Sequence, residues 1–515
     1  MSLLNSGDGP SPQDFSLNKG KNSLLFRKFK GFVKERALLD GVSSVLVALS
    51  GGPDSICLLH LLYLLSKTQD IKLHAAHFNH MLRGEEAERD ADFAKKVCEA
   101  NQIPFYLGAE EVACFAKEKK LCVQEAARIL RYKFLKDTAA SHGIEAIATG
   151  HTADDQAEEL LFRFLRGSSL TGLSGIRPKR ADGIIRPILF ARKIDIVRHL
   201  NSHDIPFVTD SSNIQNKYAR NKIRNVLLPL LQKEFNPSIV ETLSRSAYLF
   251  QDDEDALNHY ASHLLRKVIV YPDKNSGTDH LPDLVILDTE PLSQAKSAIL
   301  RRVLLLATEL AGIDRGKILS DHLLKLEHLA MERSPSGHYN LPDGFCASRI
   351  YRHIAIFRKE LCNLKNGLEN QLERLKLIKA PGTLDLGEYL GTITLTPRPM
   401  SNQEGVNKLG GPYPRPLFIK LDANTFPLQL RFKKQGDRFR PLGMKEHVKL
   451  KDFFIGRHVP KILREAIPLL VRGSEIAAVC GIEIGDEFRV ENGHALEIIW
   501  QPSAFVKTIF SLGGA

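Results

Sequence analysis

Between about residues 25 and 235, short apolar runs alternate with longer stretches in which apolar positions recur every three or four residues. The short runs predict buried strands, and the longer periodicity predicts amphipathic helices. This alternation is typical of an α/β fold, with βαβ units around a parallel sheet flanked by helices. The predicted strands are 45–49, 73–78, 104–107 and 146–149, and the predicted helices are 54–66, 85–101, 123–142 and 152–166.

After residue 235 the pattern changes more than once. Residues 239–270 and 297–332 carry apolar stripes at helical spacing, whereas 350–358 and 389–395 predict strands. A stretch rich in Gly and Pro at 410–416 precedes a compact last module. The predicted divisions are a flexible tail 1–24, an α/β domain 25–235, a mainly helical domain 236–335, a β-rich connecting region 336–415 and a small α+β, β-rich domain 416–515.

The composition narrows the class of protein without identifying it. A chain of 515 residues is too long for one core, and a formal net charge of +11 favours a polyanionic partner. Seven cysteines without a Cys-x-x-Cys pair argue against a disulfide framework, a zinc ribbon or an iron–sulfur site. The polar amino-terminal stretch has no secretory signal pattern, and no run of about 18 apolar residues occurs. We therefore expect a soluble, cytoplasmic protein without a membrane span.

The glycine turn after the first predicted strand is the strongest chemical signal. A strand that ends in two glycines and opens a helix points successive backbone N–H groups at a bound anion. The turn lacks the lysine of a Walker motif, so it does not offer a kinase-type cradle for β- and γ-phosphates. It is suited to a pyrophosphate group, and its residues are Ser50, Gly51, Gly52, Pro53, Asp54 and Ser55.

A second cluster follows the strand predicted at 146–149 and opens the next predicted helix. If Thr152 is the N-cap, then His151, Asp155 and Glu158 lie near one another on the first turn. Carboxylate oxygens there could hold a Mg²⁺ ion that bridges phosphates, with Asp155 as the candidate ligand. The alternative is a capping box between Thr152 and Asp155, and the two roles are compatible.

Basic side chains recur near the ends of other predicted elements. Arg128 and Arg131 are three residues apart on a predicted helix, so both guanidinium groups can face one side, although a solvated charged face is the ordinary alternative. The loop after the second strand contains two histidines that suit substrate contact better than a metal. Arginines on the flexible rim of the same cleft could contact RNA phosphates. The candidates for substrate contact are His80, Arg83, Arg131, His151, Arg166, Arg220 and Arg224.

The last module is basic and contains interleaved phenylalanines. Between Arg431 and Arg464 there are eleven Lys or Arg residues against three Asp or Glu. Positive charge alternating with aromatic rings suits an RNA backbone with stacked bases. The alternative is that most of these phenylalanines form a core, which leaves the arginines for RNA. Arg438 and Arg440 are the candidates.

The ordered motifs resemble those of the tRNA(Ile)-lysidine synthetase family of PP-loop ATP pyrophosphatases. Ser-Gly-Gly-x-Asp-Ser is shared by all PP-loop enzymes, but the full set is narrower. It comprises a histidine loop ending in Leu-Arg, Ala-Arg followed by Arg-Tyr, Gly-His with Asp-Asp and Glu, and Asp210-Ser211-Ser212-Asn213 with Arg-Asn-x-x-Arg. The resemblance covers about residues 43–229. One departure is Glu159, where the family usually has threonine.

The resemblance implies a carbon–nitrogen ligase that uses ATP and Mg²⁺. Its reaction joins L-lysine to C2 of the anticodon wobble cytidine of a tRNA(Ile) with a CAU anticodon, through an adenylated cytidine, with release of AMP and pyrophosphate. It further implies that 236–335 and 416–515 bind tRNA, and it is compatible with a homodimer. The implied catalytic residues are Asp54, Arg128, Asp155 and Glu158, with Asp155 or Glu158 as proton acceptor.

Two alternatives stay open at this point. A tRNA thiolase on the same fold would also adenylate a base but would deliver sulfur, commonly with paired cysteines near the site. Cys57, Cys98, Cys114 and Cys122 are not in a Cys-x-x-Cys arrangement, which weighs against it. The second alternative is a catalytically silent tRNA-binding protein, which the intact acidic cluster disfavours.

Overall fold

The computed structural model describes residues 18–81, 85–208, 219–271, 283–332, 336–363, 377–400, 413–490 and 493–513. The chain divides into two compact units, Met1–Asp255 and Ala256–Ala515. The division falls inside one long helix, Ile239–Val268. Each unit has its own hydrophobic core.

A parallel five-stranded sheet forms the centre of the first unit. Its strand order is β3-β2-β1-β4-β5, and every adjacent pair is parallel. The chain moves outward from β1 to β3 and then returns to add β4 on the other side of β1. The carboxyl ends of β1 and β4 therefore border a topological switch point, where such sheets bind ligands. The strands are β1 Ser44–Ala48, β2 Lys72–Asn79, β3 Phe105–Ala109, β4 Ala146–Ala148 and β5 Ile184–Ile185.

Helices cover both faces of this sheet. Side chains of α1, α2, α3 and α8 pack against one face, and α5 packs against the other. The helical elements of the unit are α1 Leu24–Glu35, α2 Pro53–Ser66, α3 Glu85–Ala100, α4 Val112–Lys119, α5 Val123–Ser141, α6 Ala153–Leu165, α7 Leu170–Leu173, α8 Lys193–Ser202, α9 Ala219–Lys222, a π-helical segment Ile223–Leu227, and α10 Leu228–Glu234; α11 (Ile239–Val268) then begins in this unit.

Burial on both faces explains the apolar run that forms β1. Val45 and Val47 point into the core shared with α2, whereas Leu46 points into the core under α5. A strand covered on both faces has no polar alternation. Helix α2 also has no polar face, because its side chains from Ser55 to Leu65 are buried. Pro53 occupies the first turn of this helix. The packing therefore holds the turn between β1 and α2 firmly from both sides.

The second unit begins with an antiparallel sheet of order β6-β7-β10-β9-β8. Helices α13 and α14 pack on it, together with the end of α11. The elements are β6 Ile269–Tyr271, β7 Val285–Asp288, α12 Thr289–Leu292, α13 Ser297–Leu310, α14 Ser320–Met331, β8 His338–Asn340, β9 Phe345–Ile350 and β10 His353–Arg358. Strands β6 and β7 belong to the region predicted to be mainly helical, 236–335, whereas β8, β9 and β10 belong to the predicted β-rich region that follows it. One sheet therefore combines strands from both predicted regions.

The rest of the second unit is β-rich around one large core. It contains two four-stranded sheets, β11-β12-β20-β13 and β14-β17-β18-β19, and the strand pair β15-β16. Helices Leu450–Gly456 and Ala504–Ser511 accompany them. The strands are β11 Gly382–Asp385, β12 Thr392–Met400, β13 Leu417–Lys420, β14 Gln429–Arg431, β15 Arg438–Phe439, β16 Val448–Lys449, β17 Leu469–Arg472, β18 Glu475–Val479, β19 Glu483–Ile484 and β20 Gly493–Gln501.

The predicted fold class is confirmed, including the parallel sheet, the later helices and the β-rich end. All four strands and all four helices predicted in the α/β region occur within a few residues of their expected bounds. The elements of this region that the sequence patterns did not predict are α1, α4, α7, α8, α9, the π-helical segment, α10 and the short edge strand β5. Across the described ranges, each helix is either too short or too polar to span a bilayer.

Candidate active site

A cavity of about 490 Å³ opens at the carboxyl ends of β1, β2 and β4. The two predicted clusters meet there, since the glycine turn and the loop before α6 both line it. The lining also includes residues of β2, α3 and α5. The polar residues of the lining are Ser50, Asp54, Ser55, His77, Asn79, His80, Asp90, Arg131, Thr149, His151 and Asp155.

The glycine turn is held by hydrogen bonds of its own serines. The Ser50 backbone N–H donates to Ser55 Oγ over 3.2 Å, and Ser55 Oγ donates to the Gly52 carbonyl over 3.0 Å. Gly51 has φ +85°, a conformation that L side chains rarely adopt. Gly52 is the N-cap of α2 and has no side chain to cap it. The first amides of α2 are therefore available to an anion.

Gly150 brings the second loop against the glycine turn. A Cβ atom at this position would lie 3.3 Å from the backbone carbon of Asp54 and 3.3 Å from the backbone nitrogen of Ser55. Only glycine permits this approach without displacing the turn. The amino-terminal ends of α2 and α6 consequently meet on the same cavity.

Asp54 supplies a carboxyl group to the cavity without a hydrogen-bond partner among the described residues. Burial raises its pKa from 3.8 to about 6, and the negative charges of Asp155 and Asp154 add to the rise while Lys193 opposes it. A desolvated, unpaired carboxylate attracts a cation strongly. Asp54 is thus the acidic group of this site that is free to meet a ligand.

Asp155, in contrast, is fully engaged. One carboxylate oxygen accepts hydrogen bonds from the Thr152 N–H and hydroxyl, both at 2.9 Å, which confirms the predicted capping box. The other oxygen accepts from Lys193 Nζ at 3.0 Å and from Arg224 at 3.4 Å. Although burial opposes ionisation, Lys193 and His151 with these hydrogen bonds lower the pKa of Asp155 to about 2.

Glu158 forms a bidentate ion pair with Arg224. Arg224 Nε donates to Glu158 Oε1 over 2.5 Å and Nη2 donates to Oε2 over 2.8 Å, and the Glu158 side chain is only 3% exposed. The hydrogen bonds that Arg224 donates to Glu158 in turn raise the pKa of Arg224. With both oxygens of Glu158 occupied and Asp155 so acidic, the role of proton acceptor expected for these two residues does not fit this arrangement.

His151 and Arg131 line the cavity as predicted, whereas Arg128 does not. Burial and, to a smaller extent, the nearby Arg186 and Arg131 charges lower the pKa of His151 to about 4. The imidazole is therefore neutral at pH 7, and its Nδ1 lies 3.0 Å from the Thr149 hydroxyl. Arg128 is exposed on α5, outside the cavity lining.

The histidine loop lies only partly within the described residues. His80 lines the cavity and its ring packs edge-on against Phe78, with centroids 5.0 Å apart. His77 also lines it, and its Nδ1 is 2.9 Å from the Leu49 carbonyl oxygen. Arg83 and the stretch 210–213 lie outside the described residues. Their predicted contacts with substrate stay predictions.

Arg166 and Arg220 lie at the end of α6, beyond the cavity. Their guanidinium carbons are 4.1 Å and 5.5 Å from the centroid of the Phe162 ring. Glu159, the departure from the family pattern, pairs with Arg163 at 2.6 Å and also contacts Arg220. The Glu159 carboxylate therefore holds Arg220 against α6. Arg166, in contrast, is exposed.

The basic residues of the last module belong to the second unit. The exposed Arg438 donates to the His447 carbonyl over 2.9 Å, so its charge is not neutralised by that bond. Arg440 is paired with Asp486 and Glu487. Four phenylalanines of this module are buried in its core, in agreement with the expectation that most of these rings form a core: Phe432, Phe439, Phe453 and Phe454.

Sequence reasoning missed three cations that shape the cavity. Lys193 and Arg192 begin α8 and pair with the carboxylates of α6, and Arg186 follows the edge strand β5 close to His151. The signal that could have found them is the basic pair Arg192-Lys193 directly after the buried run 184–191. That run places them at the same carboxyl edge as the glycine turn.

The fold and this site define a PP-loop protein, and the model of the PP-loop domain matches residues 22–231. A second model, the TilS substrate C-terminal domain, matches residues 428–500. The tRNA(Ile)-lysidine synthase of Clostridium perfringens is 32% identical over 90% of this chain and 96% of its own length. That of Geobacter sulfurreducens is 32% identical over 91% and 95%, and that of Caldanaerobacter subterraneus is 29% identical over 91% and 95%. The chain belongs to the tRNA(Ile)-lysidine synthase family.

Proposed function

We propose that this protein is a ligase that modifies the CAU anticodon of tRNA(Ile), joining L-lysine to C2 of its wobble cytidine with consumption of ATP. The observation that carries the proposal is the single cavity where the glycine turn, the unpaired Asp54 and the neutral His151 meet. Its volume of about 490 Å³ suits a nucleotide with a flipped base or a small amino acid. Family membership supplies the identity of the RNA and of the amino acid.

In the first half-reaction, the C2 carbonyl oxygen of the cytidine attacks the α-phosphorus of ATP, and pyrophosphate leaves. We propose that the backbone amides at Gly51, Gly52 and Ser55, around the uncapped start of α2, bind the departing diphosphate and stabilise its charge. Arg131 adds a fixed positive charge from α5. The predicted contribution of Arg128 to this step has less support, because its side chain is outside the cavity lining.

A Mg²⁺ ion fits this site at Asp54 better than at Asp155. Mg²⁺ prefers carboxylate oxygens and usually also contacts the phosphates of its nucleotide. Asp54 has a desolvated carboxyl with no hydrogen-bond partner among the described residues, whereas both oxygens of Asp155 are already bound. When bound, the ion neutralises charge on the leaving pyrophosphate. The residues described form no group of three or more candidate metal ligands, so the phosphates would supply much of the coordination.

In the second half-reaction, the amine of lysine attacks C2, the C2–O bond breaks and AMP leaves. The attacking amine must lose a proton, and a proton acceptor works best when its pKa is near the operating pH. Asp54 meets that condition with a pKa of about 6, once pyrophosphate has left. Asp155 and Glu158 are instead paired with Lys193 and Arg224 on the first turns of α6.

The RNA contacts proposed for this chain are His80, Arg131 and His151 in the cavity, Arg166, Arg220 and Arg224 near it, and Arg438 and Arg440 in the second unit. Among these residues, Arg166 and Arg438 are the exposed cations whose charges are least neutralised by neighbouring groups. A tRNA substrate places the reaction in the cytoplasm. The homodimer stays a prediction that a sedimentation experiment can check.

The thiolase alternative has less support than the ligase. A sulfur-transferring enzyme of this class would need a reactive cysteine at the cavity, and no cysteine is among the residues that line it. Cys57 and Cys98 are buried, and burial raises the pKa of Cys98 to about 12. The second unit also matches the C-terminal domain model of the lysidine synthases.

The decisive experiment incubates the full chain with unmodified tRNA(Ile), ATP, Mg²⁺ and L-lysine, and analyses the anticodon nucleoside by mass spectrometry. We expect lysidine in place of cytidine, with one AMP and one pyrophosphate for each lysine. Reactions without lysine, and reactions with sulfide in its place, serve as controls. Thiocytidine in the sulfide reaction, or an unmodified nucleoside in every reaction, would contradict the proposal.

Lowering the pH is expected to reduce kcat/KM for ATP as Asp54 takes up a proton. Burial raises the pKa of Asp54 to about 6, so the free enzyme loses this carboxylate below that pH. The loss should approach tenfold per pH unit on the acid side. The measurement is pyrophosphate release between about pH 5 and pH 8, with Asp54→Asn as the control. The same acid limb in the Asp54→Asn variant would show that another group causes it.

A further inference from the structure

Four arginines surround one tyrosine on the face of the sheet opposite α2. The Tyr132 ring has the guanidinium carbons of Arg131, Arg128 and Arg180 at 5.6 Å, 5.8 Å and 5.9 Å from its centroid. Arg186 lies close enough to Tyr132, Arg180 and Arg128 for these three groups to change its pKa, which burial lowers. This arginine cluster, Arg128, Arg131, Arg180 and Arg186 around Tyr132, concentrates positive charge at the edge of the cavity.

Most of this charge has no carboxylate beside it. Among the described residues, Arg180 pairs with Asp182 at 2.9 Å, and no acidic side chain bonds to the other three arginines. Arg186 is 5% exposed, donates from Nη1 to the Arg177 carbonyl over 2.6 Å, and has no partner for its Nε. A buried guanidinium with an unused donor and like charges around it is costly unless an anion completes it.

The cations beside the first turns of α6 are arranged differently. There the cations are matched one by one with carboxylates: Lys193 with Asp155, Arg224 with Glu158, and Arg192 with Asp154. The arginines without a carboxylate partner therefore lie on the side of α5 and β5. An anion that reaches the cavity from this side meets four guanidinium groups, of which one is paired with Asp182.

The position of the arginine cluster decides which anion fits. The glycine turn and the start of α2 lie on the face of α1, α2, α3 and α8, whereas α5 lies on the other face. A triphosphate on the glycine turn therefore lies beside the first face, and Arg131 is the one member of the cluster among the lining residues of the same cavity. Arg131 reaches the cavity and Arg128 is exposed, so the cluster runs from the cavity to solvent. A polymer with phosphates on both sides of an inserted base follows such a path, and a mononucleotide does not.

We infer that the arginine cluster binds a backbone phosphate of the RNA strand next to the nucleotide that enters the cavity. This inference rests on the proposed function and deepens it, because it names Arg186, Arg128 and Tyr132 as positioning residues for the RNA. Guanidinium groups bind phosphate oxygens through their N–H donors, and the Nε of Arg186 is a donor that has no partner among the described residues. The Tyr132 ring lies among the other three guanidinium groups of the cluster.

The test measures the dissociation constants of unmodified tRNA(Ile) and of ATP for the full chain at several salt concentrations. Arg128→Gln removes an exposed charge and is expected to weaken tRNA binding about tenfold. It should also reduce the slope of log K against log salt by about 0.7, the value for one single-strand phosphate contact. The dissociation constant of ATP should stay unchanged. The matched control is Arg198→Gln, which removes one exposed charge from α8 on the other face.

A second variant separates geometry from charge. Arg186→Lys keeps the charge but loses the planar fork, so tRNA binding should weaken while the salt slope stays at the wild-type value. Unchanged tRNA binding in Arg128→Gln overturns the inference, even if Arg186→Lys does not fold. Weakened ATP binding with normal tRNA binding also overturns it, since the cluster would then serve the triphosphate. Absence of lysidine from the wild-type reaction, in contrast, would contradict the proposed function itself.

Discussion

Replacing Asp54 with asparagine is expected to remove nearly all lysidine formation and, at the same time, to stabilise the first unit. Loss of a group that transfers a proton typically lowers the rate by about 10²–10⁴-fold, and the variant also loses the carboxylate that faces the phosphates. The fold should gain stability, because ionised Asp54 is desolvated and unpaired among the described residues. The rate is measured with radiolabelled lysine and the stability by urea unfolding.

The sign of the stability effect follows from the raised pKa of Asp54. The folded protein holds the proton up to about pH 6, whereas the unfolded chain releases it near the ordinary value of 3.8. Stability contributed by this group is therefore lost as the pH rises from 3.8 to about 6. At neutral pH the asparagine variant should be more stable by about 1–3 kcal/mol.

The control for this experiment is Asp70→Asn, in the exposed turn after α2. It removes the same charge without touching the cavity, and both activity and stability should stay near wild type. Asp54→Asn with near-normal activity would refute the role of the glycine turn. Asp54→Asn with low activity and low stability would instead indicate a structural role for the carboxyl group.

Replacing Arg224 with alanine is expected to destabilise the first unit by about 3–5 kcal/mol, because it leaves the buried Glu158 carboxylate without a partner. Glu158 is 3% exposed, and both its oxygens accept hydrogen bonds from Arg224. Water cannot replace these bonds at such burial. The measurement is the first urea unfolding transition of the full chain, monitored beside lysidine formation.

The double variant Arg224→Ala with Glu158→Gln provides the sharper comparison. Removing the second charge should recover a large part of the stability that the single variant loses, since the cost comes from the unpaired ion. Arg198→Ala, which breaks the exposed pair with Asp195, should change stability by less than about 1 kcal/mol. No recovery in the double variant would mean that Arg224 acts through packing rather than through its charge.

The local chemistry of the site was predictable from neighbouring residues. The glycine turn at 50–55 follows β1 directly and opens α2, and the capping box of Thr152 and Asp155 spans one helical turn. Both features depend on backbone geometry over a few residues, so the types and spacing of those residues are enough to predict them. Their meeting at one cavity followed from a general rule, since the carboxyl ends of parallel strands share one edge of the sheet.

The role of each carboxylate was not predictable in this way. Asp54, Asp155 and Glu158 are similar in sequence terms, yet Asp54 is unpaired among the described residues while Lys193 and Arg224 engage the other two. Those partners are 38 and 66 residues away along the chain. Only the packing of α8 and of the π-helical segment against α6 brings them together.

By itself, the sequence determined the α/β alternation, the phosphate-binding turn and the order of motifs, because each arises within one or two adjacent elements. The tertiary structure alone decided which charges are neutralised, which carboxyl keeps a raised pKa, and where the arginine cluster lies. It also placed the phenylalanines of the last module in a core. Strands β6 and β7, from the stretch predicted to be helical, were joined in one sheet with β8, β9 and β10. The physical reason is that burial and charge pairing depend on contacts between segments far apart in the chain.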